Sequence, residues 1–381
     1  MSKVKIETLS AIHIGNGVMM QYGTDFIYGK DLEGYDVISV ISPEKVLSLI
    51  GNEHMSNWLA AIDRKEPIDN IVKQFAPKSS IEDYSRRIIQ DCASVKKSDT
   101  LKELIHDGMG KPYIPGSSIK GAIRTAIFAT IAHRKDNLDK LIAGVNKQGE
   151  KKKPNASKVE SLFFGQDTYS NIFRFLVVGD AIFGDNYEIA VRMVNINERT
   201  SKGFWDESKQ QLIEAIAQED SSIFQMKIKE QYYDFCKSQW PASAKFPIGC
   251  MPDEMHLLSS LFQLINAHTK SLVESEIEYW EIREDSDNSD KVSEYIGKMK
   301  DILDAINSCE KGKDCVLRIG HGSGWRFITG AWTESLDNFA SDVIPASRPN
   351  DKSYSQYDFP KTRRVDTQCD LLGFVKLSLQ N

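Results

Sequence analysis

The residues best equipped to hold an anion fall in three short blocks. In Gly116-Ser117-Ser118, continuing through Lys120 to Arg124, hydroxyls and amide donors at a helix start combine with the positive end of the helix dipole and two cations one turn apart, which suits a backbone phosphate. A capped surface helix with solvated basic residues has the same signature. Gly320-His321-Gly322-Ser323-Gly324 lets backbone amides approach an anion closely, because glycine permits positive φ and has no side chain. No Gly-Lys-Ser/Thr follows and the spacing is not a dinucleotide fingerprint, so the choice is between an anion cradle and a tight turn. Trp325 and Arg326 add a ring and a cation to that loop, while Trp325, Phe327 and Tyr113 can stack on bases or pack in a core. Lys361, Arg363 and Arg364 concentrate positive charge beside a proline, in an edge loop expected before the last strand.

Acid–base chemistry has fewer candidates. His13, near the end of the first strand, can exchange protons, bond to RNA or serve as a hydrogen-bonded structural histidine, and no second histidine stands at a helpful spacing. Asp25, Asp31 and Asp36 follow that strand, where a nuclease could hold a metal or a base and where a hairpin simply exposes carboxylates. The six cysteines contain no CxxC and only Cys309 and Cys315 lie close together, so neither a zinc site nor a disulfide framework is indicated. No catalytic residue, metal or cofactor is assigned.

Positioning these groups requires strands and helices in alternation. Residues 3–14 alternate as one strand ending at the turn Gly15-Asn16-Gly17, and Asp25 to Val40 reads as a hairpin. From Pro43 to Thr100 the pattern is helical, with Tyr84, Ile88 and Ile89 in one segment. Ile119, Ala122, Ile123, Ala126 and Ile127 form an apolar helical stripe that leaves Lys120 and Arg124 on another face. Ile172 to Phe183 reads as a buried strand; residues 189–230 read as a long hairpin or finger with Thr200 to Trp205 at its tip. A long helix runs from about Asp253 to Ile282. Residues 315–330 read as a strand, the glycine turn and a strand-like WRFITG, and a last strand spans Gly373 to Leu379. Strand, helix, strand thus occurs once in each half.

Composition bounds the rest. The 381 residues, 41% hydrophobic and 27% charged, suffice for about two domains. A formal charge of -6 excludes a surface that is cationic throughout, though not a local basic groove. No signal peptide or apolar run of ~20 residues is visible, and a soluble, reduced, cytoplasmic protein away from membranes is expected.

Taken in order, the strand ending AIHIGNG, the YIPGSSIKGAIRTAIF helix start, FFG before FLVVGDAIF, the IGHGSGW loop and PKTRRV before LLGFVKLSL resemble the RAMP superfamily of CRISPR-associated proteins. Within it the sequence looks most like the fifth-subunit family of the type III-A Csm effector complex. The resemblance implies an α+β fold of two ferredoxin-like (RRM-like) domains with antiparallel sheets and helical insertions. They span 1–188, with a helical insertion at 43–110, and 189–381, with the hairpin finger, long helix and glycine-rich loop. It also implies a non-catalytic RNA-binding subunit that caps the 3′-proximal end of the CRISPR RNA and contributes to its maturation and to antiviral defence. Implied partners are that guide and, through it, target RNA, the backbone and small subunits of the complex, and host nucleases that trim the guide. The 116–124 and 320–326 segments match those that approach the guide backbone in the superfamily, and His13, Lys361, Arg363 and Arg364 join them as RNA-contacting candidates. The alternative is a metal-independent endoribonuclease of the superfamily, processing repeat RNA with His13 or His321 as general acid or base. The backbone paralogue's cleaving aspartate lies in the interval of Asp25, Asp31 and Asp36, but YGTDFIYGKDLEGYD lacks the surrounding pattern.

Overall fold

The computed structural model describes residues 1–64, 66–132, 156–184, 188–197, 205–240, 248–283, 289–347 and 362–380. In β1 (Ser2–Thr8) Val4, Ile6 and Thr8 point inward between Lys3, Lys5 and Glu7, the two-residue period of a strand with one buried face. The strand is shorter than its sequence pattern. The amides of Leu9 and Ser10 both turn to the Phe374 carbonyl, and the chain crosses to a second sheet, where Gly15 and Gly17 form the irregular start of β2 (Gly15–Gln21) rather than a loop. β3 (Phe26–Lys30) and β4 (Asp36–Ile41) make the expected hairpin.

Three helices follow, α1 (Pro43–Ile50), α2 (Met55–Asp63) and α3 (Ile68–Phe75), packing Val46, Ile71 and Val72 beneath Ile27 and Ile41. The helical expectation fails beyond Tyr84. β5 (Ser85–Asp91) pairs with β4, and β6 (Thr100–Leu104) follows it. Over so short an apolar run the 3.6-residue and two-residue patterns are not separable, and ladder bonds to β4 decide the outcome.

After β7 (Tyr113–Ile114) come α4 (Gly116–Ala132) and α5 (Ala156–Phe164). The run expected as one strand from Ile172 to Phe183 divides into a 3-10 turn over Ile172–Phe175, β8 (Leu176–Val178) and β9 (Ala181–Ile182), because the Asn171 side chain caps the turn and Gly179-Asp180 interrupts the ladder. Then β10 (Glu188–Asn197), β11 (Trp205–Ile216) and β12 (Ser221–Ile228) precede α6 (Glu230–Gln239), α7 (Leu258–Glu281) and α8 (Ser289–Asn307). β13 (Asp314–Arg318), β14 (Thr362–Asp366) and β15 (Phe374–Leu379) complete the chain. WRFITG, residues 325–330, expected as strand-like, instead falls in the 3-10 turns Trp325–Phe327 and Thr329–Ser335, the second of which packs beside α4.

One five-stranded antiparallel sheet has the order β13-β15-β1-β12-β8. An eight-stranded sheet runs β2-β6-β11-β10-β5-β4-β3 with β14 also on β10, and its β10–β5 and β11–β6 pairs are parallel where antiparallel pairing was expected. Both sheets draw strands from either side of residue 188. Of the two runs expected to pair as the finger, 189–197 becomes β10, paired with β11 inside the larger sheet with Val191, Met193 and Ile213 buried, whereas 222–230 falls largely in β12, which pairs with β1 and β8 in the five-stranded sheet. Of the expected tip, Thr200 to Phe204 lie outside the described residues and Trp205 opens β11.

The architecture is thus α+β, with helices laid over antiparallel and mixed sheets. Its main core joins Val4 and Ile6 of β1 to Ile119, Ile123 and Ile127 of α4 and Leu261, Phe262 and Ile265 of α7. Each such apolar side chain contributes about 1.5–3 kcal/mol on burial. Among the described residues no helix is long and apolar enough to cross a membrane.

Candidate nucleic-acid interface

The glycine loop is built onto the segment that follows β1. Gly320 has φ +80°, a Cβ there would lie 2.6 Å from the His13 carbonyl oxygen, and the His321 amide donates to that oxygen at 2.8 Å. Only glycine permits this approach. The rings of His13 and His321, far apart in sequence, come edge to face with centroids 5.8 Å apart. His13 Nδ1 donates to the Glu214 carbonyl at 2.6 Å, which leaves Nε2 as the unprotonated nitrogen of the neutral ring. Burial, with the charges of His321 and Lys102 adding to it, lowers the His13 pKa to about 4.

Around the exposed His321 the larger sheet supplies polar groups. Gln211 Oε1 on β11 meets His321 Nε2 at 3.2 Å and accepts from Lys102 Nζ on β6 at 2.7 Å, while Arg364 on β14 donates to the Lys209 carbonyl at 3.2 Å. Burial, Lys102 and Arg364 all hold His321 below the usual histidine range. The result is a basic patch with His13 as floor and His321, Lys102 and Arg364 at the surface. Lys102 and Gln211 are not among the residues singled out from the sequence, since one lies in the expected helical insertion at 43–110 and the other in the polar segment between the two runs of the expected finger. Leu101-Lys102-Glu103-Leu104 spaces its leucines three apart, so no local alternation marks the strand.

Beneath the patch lies an ionic cluster that the sequence did not suggest. Ligand-capable atoms of His106, Glu188 and Glu214 lie within 4.8 Å of one another. Their charges are answered from within the protein. Arg87 Nε donates to Glu214 Oε1 at 2.7 Å, Arg87 Nη2 reaches Glu214 Oε2 at 2.8 Å and Glu103 at 3.1 Å, and His106 Nε2 sits 3.0 Å from both Glu188 oxygens. Burial raises the Glu214 pKa to about 7 against the pull of Arg87. These groups tie β5, β6, β10 and β11 together.

At the α4 start, the Gly116 amide donates to Asp180 Oδ1 at 2.7 Å, and a Cβ at Gly116 would meet the Val178 carbonyl oxygen at 2.3 Å. The Ser118 amide bonds to the Pro115 carbonyl at 2.8 Å, so fewer amides are available than a bare helix start provides. Ser117 is exposed, and Lys120, half-buried, has no carboxylate partner among the described residues; burial and nearby Lys229 lower its pKa. Arg124 differs. It pairs with Glu160 and lies 5.8 and 5.9 Å from the Phe164 and Phe173 ring centres, a structural placement.

The expectation that Arg326 and Arg363 front a groove does not hold: they are 9% and 5% exposed, and both pair with Glu276. Arg363 lies in a strand where a loop was expected; Lys361 lies outside the described residues. Trp325 packs on Phe339, Phe327 on Phe374, and Tyr113 pairs with Ile182 in β7–β9. Gly322 and Gly324 also take positive φ, with Ser323 half-buried between them. Asp25 and Asp31 accept amide bonds from Gln21 and from Glu33 and Tyr35, and Asp36 pairs with Lys30 at 2.8 Å, so all three carboxylates serve the turns of the hairpin region.

Comparison with known proteins places this geometry in context. Across the full length of both chains, the fold matches a chain of a Csm–crRNA–target RNA ternary complex of a type III-A CRISPR-Cas system, with 17% identity and a TM-score of 0.69. It also matches Csm5 of T. onnurineus at 16% identity and a TM-score of 0.66, covering 97% of this chain and 99% of that one. No curated protein matches the sequence. The family model of the RAMP superfamily matches residues 5–327, and with that span the chain belongs to the RAMP superfamily.

Proposed function

We propose that this chain is a non-catalytic RNA-binding subunit of a type III-A CRISPR ribonucleoprotein, seated at the 3′-proximal end of the CRISPR RNA and contributing to its maturation and to antiviral defence. One observation carries the reading. His321, Lys102 and Arg364, from three distant parts of the sequence, converge beside a glycine loop on one surface, with charge and donors suited to a phosphate chain. The similarity to a chain of a guide-bound Csm complex supports guide RNA, target RNA and Csm subunits as partners. Co-purification from cells carrying the whole locus, with sequencing of bound RNA, should yield guides whose 3′ side becomes short or heterogeneous once this chain is deleted. Guides of unchanged length would sink the 3′-terminal role.

A second reading, a metal-independent endoribonuclease, draws on the proximity of His13, His321 and Lys102. A general base must come within hydrogen-bond reach of the ribose 2′-OH, and His13 is 2% exposed with Nε2 against Gly15. Incubation with repeat RNA in EDTA separates the two. The binding reading expects intact RNA, and cleavage lost on His321→Ala would replace it with the enzymatic one.

A further inference from the structure

We infer a second RNA-contacting surface, a cationic and aromatic track leading from the α4 start across to α6, whose occupant is single-stranded RNA taken without sequence preference. It rests on the RNA-binding reading above and extends it to residues that the sequence did not single out. The track is contiguous. Lys120 stands close enough to Lys229 for the two charges to disfavour one another, and the Lys229 amide donates to the Phe175 carbonyl at 2.8 Å. Arg174, next along the chain from Phe175, donates to the Tyr169 carbonyl at 2.6 Å and to the Tyr232 hydroxyl at 3.3 Å, with its guanidinium 5.7 Å from the Tyr232 ring centre.

The chemistry distinguishes this surface from an ordinary charged face. Lys120, Lys229 and Arg174 have no carboxylate partner among the described residues, and the acid beside them, Glu230, pairs with His256 at 2.9 Å. Beside these cations the rings of Tyr169, Tyr232 and Phe235 are 72, 46 and 60% exposed, Tyr232 and Phe235 being three residues apart on one face of α6. Solvent-facing rings alternating with unpaired cations match what a single strand offers, one phosphate and one stackable base per nucleotide. Duplex RNA keeps its bases stacked inside and would leave the rings unused.

The test measures binding of the full chain to a fluorescent single-stranded adenosine 12-mer and to an abasic oligomer of equal length. Phe235→Leu, at an exposed position, should weaken the adenosine probe roughly tenfold, the effect of one lost stack, and leave the abasic probe unchanged. Lys229→Gln should weaken both and reduce the salt slope by about 0.7. Unchanged affinities in both variants, with Arg364→Gln still weakening the 12-mer, would overturn the track while sparing the patch at His321, and would assign the exposed rings to a protein neighbour. Absence of any 12-mer binding by the unmodified chain would overturn both.

Discussion

Arg363 and Arg364 are neighbours on β14, and the structure gives them opposite work. Arg363 faces inward, donating from Nε and Nη2 to the two Glu276 oxygens at 2.5 and 2.8 Å and lying 4.5 Å from the Tyr279 ring centre. Arg326 at 3.0 Å and the Tyr295 hydroxyl at 3.1 Å complete the surround of that carboxylate, which is 1% exposed. Arg364 faces the patch and bonds to a carbonyl. A run of positive charge in a strand is therefore divided by the two-residue period into a desolvated part, strong and insensitive to salt, and an exposed part that salt screens and a ligand can use.

Breaking the buried side should have the largest effect. Glu276→Gln takes the Glu276 counter-charge from Arg363 in the core, while Arg326 keeps Glu334 at 2.9 Å, and removing one partner of a buried pair costs about 3–5 kcal/mol. The denaturant midpoint should fall accordingly at an unchanged m-value. A shift below about 1 kcal/mol would show that the cage is relaxed or wet and would dissolve the contrast. Burial disfavours ionisation of Glu276, but Arg363, Arg326 and Arg318 outweigh it and hold the carboxyl below its ordinary range. Its contribution is thus present above the unfolded value of about 4.3 and is lost as pH falls through the lower folded value.

The pH profile probes the patch side next. The folded-state pKa of His13, about 4, lies below the unfolded value, so the native state binds fewer protons and loses stability as pH falls from about 6.5 to about 4, by at most about 3 kcal/mol. Glu214 works the other way. Its folded-state value of about 7 means stability declines as pH rises from the ordinary carboxylate range toward 7. The two slopes oppose one another where they overlap. Urea midpoints of His13→Gln against pH should therefore show a flatter acid limb with the Glu214 decline exposed; an unchanged profile would mean that His13 is hydrated in the native state.

These groups also mark what was legible beforehand. The helix start, glycine loop and closing strand follow from caps, glycine spacing and apolar period, all local signals, while the α+β class is what the resemblance implied. Glu276 was equally visible, an acid between Val273 and Trp280 on the buried stripe of α7, yet its meaning depends on arginines 50 and 87 residues away. Pairings at such distance leave no local trace. Ser85–Asp91 was misread for the related reason that neighbouring strands settled a short ambiguous pattern, and the convergence of His13 with His321 depends on the same long-range assembly.

A smaller perturbation sharpens the role of the loop. Gly320→Ala faces both a left-handed backbone and a Cβ placed 2.6 Å from a carbonyl oxygen, whereas Gly324, with φ +81°, has open space around its Cβ position. Gly324→Ala should cost about 1 kcal/mol from conformation alone, and Gly320→Ala clearly more, with weakened RNA binding because His321 shifts. Equal midpoints for the two variants would show that the loop does not need its close contact with His13.

The smallest effect on stability belongs to the exposed arginine, and here the comparison is most discriminating. Arg364→Gln removes a half-exposed charge that donates to the Lys209 carbonyl, so the urea midpoint should move within about 0.5 kcal/mol. RNA affinity should respond instead: losing one phosphate contact lowers the slope of log K against log salt by about 0.7 for a single strand, and Lys102→Gln should add a similar decrement. Because phosphate contacts position a strand without reading its bases, the loss should be the same for guides of different sequence. Arg363→Gln, one residue away, should reverse the pattern, with stability strongly reduced and the salt slope of the folded fraction unchanged. Were both variants to weaken RNA binding with equal salt slopes, the two faces of β14 would not divide the work, and Arg364 would act through the fold rather than on the phosphate.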